Sequence, residues 1–239
     1  MKLIEFIKLI LKHKVILLVA PFFAGCLAIL LTLNPSHKYY SQTMLFTGLA
    51  SGSSIEMDKT FNYLATNNAF DNLINIINSR ETQEEVAIRL LSQHLLLDGP
   101  NEKFISTSVL ERLREDIPEE LYKYVVTSSS LSKTKETKFN NDEKSSVLNV
   151  PETISNDNYE QTVANLTDLM NSDNTNFVYS LLNFEHPYYS LEAISKVKSM
   201  RISSSDLVKL SYETEDPGIC QQTLVIYIEV CIRKYKDLK

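Results

Sequence analysis

Hydrophobic and polar positions along the chain change rhythm several times. Val15 to Leu33 is a run of nineteen residues without a charge, VILLVAPFFAGCLAILLTL. At about 1.5 Å per residue it would make roughly 28 Å of helix, close to the ~30 Å apolar layer of a bilayer. The pattern therefore predicts a membrane-spanning helix over 15–33, with Pro21 inside it. Tyr40, Met44 and Phe46 then fall on one side of an extended stretch, which predicts a strand. Phe70, Leu73, Ile74 and Ile77 repeat as the stripe of an amphipathic helix. Thr82-Gln83-Glu84-Glu85 has the form of a capping box ahead of Val86, Leu90, Leu91 and Leu95, and that helix is expected to end near Asp98-Gly99-Pro100. Helical stretches are predicted over Val109 to Tyr124, broken at Pro118, over Tyr159 to Tyr179, and from Leu191. Between them, residues 127–149 turn to Ser, Thr, Lys and Asn and read as a mobile insertion. Val208, Leu210 and Tyr212 alternate with Lys209, Ser211 and Glu213, the clearest strand signal in the chain. Asp216 suits a helix N-cap and Pro217 the first helical position. The following stripe of Cys220, Thr223, Leu224, Tyr227, Ile228, Cys231, Tyr235 and Leu238 is still running at Lys239, which reads as the start of a longer helix, truncated.

Charge sharpens the first element. Residues 1–33 carry Lys2, Lys8, Lys12 and Lys14 against Glu5, a balance of +3, and the remainder of the 239-residue chain carries −9. Lysines ahead of an apolar run place residues 1–14 as a cytoplasmic tail and residues 34–216 as a periplasmic domain, with the protein in the inner membrane. Leu33-Asn34-Pro35-Ser36 offers no small-x-small cleavage site. Phe23-Ala24-Gly25-Cys26 looks like a lipoprotein box, but the apolar run continues well past Cys26. Ala20, Ala24 and Ala28, with Gly25 beside them, form a small-residue face of the kind that lets a second membrane helix approach closely. The overall charge of −6 argues against a nucleic-acid partner. The expected class is α+β: a transmembrane helix, then an α/β domain with a small mixed sheet and flanking helices.

Candidate chemistry is sparse. His13, His37, His94 and His186 share no metal-ligand spacing, and His94 reads as a surface or partly buried residue. The chain's 3 cysteines make no disulfide framework, and Cys220 and Cys231 stand too far apart on one helix to bridge. Asp116, Glu119 and Glu120 read as a solvated acidic face. Gly48 to Ser54 lacks the lysine of a nucleotide loop, and there is no serine elbow or zinc motif. No catalytic, cofactor-binding or metal-binding residue is expected.

The order of the pieces is what carries a resemblance. Lysines, an apolar span, a strand from Tyr40-Ser41 onward, helices, then a strand running into Asp216-Pro217 and an amphipathic helix: this resembles the chain-length determinant family, the Wzz-like polysaccharide co-polymerases. The most specific stretch is Ile202 to Tyr227, and Asn68 to Leu97 is similar to the exopolysaccharide and capsule type. The likeness covers about half of the chain and leaves out residues 101–190. It implies a non-enzymatic protein that helps set the chain length of a surface polysaccharide. It also implies a homo-oligomer, with a membrane polysaccharide polymerase, an outer-membrane export channel, polysaccharide and membrane lipid as partners. A single-span periplasmic sensor and a periplasmic export adaptor are the alternative readings.

Overall fold

The computed structural model describes residues 12–32, 37–48, 63–126, 151, 154–184, 186–203 and 205–237. The expected insertion at 127–149 lies outside them. The chain divides into two units, Met1–His37 and Lys38–Lys239.

Among the described residues the first unit holds one helix, α1 (Lys14–Thr32), in which Pro21 is tolerated and Thr32 Oγ donates back to the Ala28 carbonyl at 2.8 Å. Among the described residues no helix is long and apolar enough to cross a membrane. That overturns the transmembrane helix at 15–33 and, with it, the inner-membrane placement and the periplasmic label for residues 34–216.

The second unit is mostly helical around a small sheet. Strands β1 (Tyr39–Phe46), β2 (Lys198–Arg201) and β3 (Leu207–Thr214) lie in the order β1-β3-β2. Both outer strands run antiparallel to β3, so the sheet is not the mixed one expected. The short turn from β2 to β3 permits only that sense, because a parallel return needs a crossover of a dozen residues or more. β1 pairs with β3 over its whole length, Tyr39 opposite Thr214 and Phe46 opposite Leu207, which joins segments from opposite ends of the unit.

Among the described residues the unit also has helices α2 (Tyr63–Ile77), α3 (Arg80–Leu95), α4 (Thr107–Asp116), α5 (Asn156–Ser172), α6 (Phe177–Asn183), α7 (Leu191–Ser195) and α8 (Pro217–Asp237), with a 3₁₀ turn at Glu119–Tyr124. Val208, Leu210 and Tyr212 point inward from β3 and are covered by α8. The other side of α8 packs on α3, and α3 in turn packs on α5 and α7. Two helices are thus buried on more than one face. Along α8, Ile226 and Val230 are buried as well as the predicted stripe of Cys220, Leu224, Tyr227 and Cys231. Helix α3 is buried continuously from Val86 to Leu95, polar residues included.

The N-terminus of α3 differs from the capping-box reading. Ser79 is the N-cap, its Oγ accepting from the Thr82 N–H at 3.3 Å, so Thr82 sits in the first turn. The helix predicted over 159–179 is two helices. Asn176 starts the second by accepting from the Tyr179 N–H at 2.8 Å. Pro118 does end α4, as its missing N–H requires.

Candidate functional site

A connected group of buried polar side chains lies where the start of α8 meets the end of α3. Asp216 is buried at the N-cap of α8, and its Oδ1 accepts from the Ile219 N–H at 2.9 Å. Its Oδ2 accepts from the Ser106 N–H, also at 2.9 Å, so one carboxylate holds both α8 and the segment that begins α4. Pro217, exposed, occupies the first helical position. Gly218 follows for a steric reason: a Cβ there would stand 2.6 Å from the Phe104 carbonyl carbon. Only a residue without a side chain lets the backbone at 104–105 lie against α8.

His94 reaches the same segment from α3. Its Nε2 is 3.3 Å from the Phe104 carbonyl and its Nδ1 is 2.6 Å from the Tyr189 hydroxyl. Burial lowers its pKa to about 4, so the ring is neutral at pH 7. A neutral ring has one donor and one acceptor, which assigns the N–H to Nε2, donating to Phe104, and makes Nδ1 the acceptor from Tyr189. Burial raises the Tyr189 pKa, so its hydroxyl keeps the proton it donates. Tyr189 stacks on His186 at 4.7 Å between ring centroids, and His186 Nδ1 accepts from the N–H groups of Tyr188 and Tyr189. Beside His94, Gln93 Nε2 donates to Gln222 Oε1 at 3.3 Å, and Gln222 Nε2 donates to the Lys103 carbonyl.

A second cluster joins α3, α5 and α8 by charge. Arg89, 3 % exposed, donates from Nη1 and Nη2 to the two carboxylate oxygens of Glu160 at 2.8 and 3.0 Å, and from Nε to Glu85 at 3.1 Å. Burial opposes its charge, but the bond to Glu160 and that carboxylate's charge outweigh burial and raise its pKa. Glu85 also pairs with Arg233 and, at 3.8 Å, with Lys234.

These clusters position chain segments. His94, Tyr189 and Asp216 are each at most 1 % exposed and spend their polar atoms on one another or on backbone. Two cavities open beside these groups. One of about 340 Å³ has His94 in its lining together with Leu97, Leu110, Leu113, Ile117 and Val125, with Arg114 holding the carbonyls of Leu97 and Asp98. The other, about 400 Å³, lies between β1 and α8, lined by Tyr39 to Thr43, Gln221 and Val225. Among the described residues no group of His, Cys, Asp or Glu is placed to hold a metal ion.

The remaining candidates fall as follows. Ala20, Ala24, Gly25 and Ala28 are exposed on α1, and a Cβ on Gly25 would meet nothing within 4 Å. With the span overturned, that face loses its membrane setting. Cys220 and Cys231 are buried, and burial pushes the Cys231 thiol up to about 12, so it is an inert core residue. Asp116, Glu119 and Glu120 are exposed. Tyr189, Ser106 and Arg89 were not singled out by sequence. Polar residues inside the apolar run from Ile88 to Leu97 were the available signal, since a core helix carries them only when partners wait for them.

Comparison of the chain with protein-family models, with curated proteins and with solved structures finds no match. The likeness to chain-length determinants therefore rests on the residues quoted for it.

Proposed function

We propose that the chain is a non-catalytic packing module of the chain-length-determinant kind, one that helps set the length of a surface polysaccharide by acting on its polymerase through protein surfaces. The observation that supports this reading is the way the chain closes: β1 pairs with β3, and β3 runs through Asp216-Pro217 directly into α8, the helix on which the unit is built. Those are the segments that carry the resemblance, and they meet in one sheet-and-helix layer. The polar clusters beside that layer bind segments to each other, which suits a part that must hold a shape.

The test is genetic. Cells lacking the gene are complemented with the full chain, and their surface polysaccharide is separated by length on a gel. The proposal expects polymer in both strains, with a defined modal length only in the complemented one. Loss of all polymer on deletion would indicate a synthetic enzyme, and identical ladders would remove the polysaccharide from the account. The sensor and adaptor alternatives predict identical ladders.

A further inference from the structure

We infer that β1 is a docking edge, and that its occupant is β1 of a second copy, the two strands running antiparallel about Thr43 to make one continuous six-stranded sheet. The two edges of the sheet are built differently. β2 has four residues, includes Lys198 and Arg201, and is tied to α2 by Arg201 on Asn67, with its guanidinium over Phe70 at 3.7 Å, and to Asn78 just past that helix by Ser199 Oγ. Short length and charge are how edges are kept from pairing. β1 has eight residues, YYSQTMLF, with no charge, proline or bulge, and among the described residues it pairs only with β3.

The backbone fixes which groups are free to pair. The Thr47 N–H donates to the Asp206 carbonyl at 2.8 Å, so odd-numbered residues of β1 face β3. Tyr40, Gln42, Met44 and Phe46 therefore aim their N–H and C=O groups outward. Their side chains share the solvent face of the sheet, where Tyr40 is 60 %, Met44 53 % and Phe46 68 % exposed.

Pairing about Thr43 sets Tyr40 opposite Phe46 of the other copy and Gln42 opposite its Met44. Every outward-facing residue then meets another, and each facing pair exchanges two hydrogen bonds. Any other register of the same parity leaves one of them without a partner. Aromatic and apolar side chains that stand in water are brought together across the strands. The nearest charge, Lys38, falls opposite Gly48, where β1 ends with φ +63, and keeps its 3.4 Å pair with Glu213. No like charges are opposed, which is the argument for self-pairing over a charged foreign segment.

Sedimentation velocity of the full chain, with mild detergent to shield the exposed side chains of α1, should show a concentration-dependent dimer. Amide exchange at Tyr40, Gln42, Met44 and Phe46 should slow as the dimer forms. Met44→Pro removes an outward N–H and leaves the β1–β3 ladder intact, so it should weaken association at least about tenfold with an unchanged far-ultraviolet spectrum. Should that variant misfold, a charge exchange decides: Gln42→Lys with Met44→Lys, and Gln42→Glu with Met44→Glu, should each be monomeric and associate when mixed. A monomer at every concentration, a folded Met44→Pro dimer, or protection of these amides only after an unrelated peptide is added would overturn the proposal. The pairing stands on the geometry of β1 alone: a monomer that still sets polymer length defeats the dimer, and a dimer without effect on length defeats the functional reading.

Discussion

Acid should unfold this protein in a window set by one buried ring. His94 is neutral in the fold, its pKa lowered to about 4 by burial, against about 6.5 when exposed. Because the folded pKa is the lower one, the unfolded chain takes up a proton first. Stability is fully present above pH 6.5, falls as pH drops toward 4, and levels off below, where both states are protonated. Keeping the ring neutral down to about pH 4 instead of 6.5 corresponds to about 3 kcal/mol, a large part of a typical domain's stability. A second proton is poorly accommodated in the fold, since Nε2 already donates to Phe104 and a proton on Nδ1 would force the Tyr189 hydroxyl at 2.6 Å to accept and give up the bond it donates. The Asp216 carboxylate favours the protonated ring but does not outweigh burial, and its two oxygens are bonded to backbone N–H groups, not to the imidazole. Urea unfolding at steps from pH 7.5 to 4 should show the extra loss in the intact chain and not in His94→Gln. That variant lacks the titration but starts about 1–3 kcal/mol less stable, for the bonds it fails to reproduce. A native-state proton titration of His94 by magnetic resonance, with a midpoint near 6.5, would refute the reasoning.

Other perturbations follow from the same junction. Gly218→Ala should cost at least about 3 kcal/mol, at the upper end for overpacking because its Cβ meets backbone, and thermal unfolding should drop by several degrees. Asp216→Ala removes a cap and leaves the Ser106 N–H without an acceptor, so about 2–4 kcal/mol should be lost in urea, while Asp216→Asn recovers part of it. Arg89→Lys keeps the charge but not the two-pronged hold on Glu160; denaturant titration should show a loss of about 1–2 kcal/mol.

Much of this architecture was legible where a pattern had only one way to be satisfied. The alternation at 207–214 could bury Val208, Leu210 and Tyr212 only as a strand, and Asp216-Pro217 marked the helix start. β2 was not legible: Lys198-Ser199-Met200-Arg201 buries no side chain, so it leaves no alternating trace. At the start of α3, Ser79 and Thr82 are both capping residues; what selects Ser79 is the tight turn from α2, where Thr82 Oγ is drawn to the Ile76 carbonyl at 2.7 Å. The split between α5 and α6 was written in Asp173 and Asn176, whose side chains bond backbone more readily than they continue a helix. His94 was misjudged because its spacing suggested a helix border, whereas α3 has no solvent side there. That follows from α8 and α7 packing on it, a long-range fact that no local window contains. The apolar run at 15–33 was read as a span from its length, its lack of charge and the lysines ahead of it, and the described helix does not support that.

A packing module and an enzyme differ in how their product responds to dose. The most direct measurement is to vary expression of the intact chain against a fixed level of polymerase, and to record both the modal length and the total amount of surface polysaccharide. The account predicts that modal length moves with the ratio of chain to polymerase while total sugar stays nearly constant. Total polymer rising with the chain at unchanged modal length would contradict it.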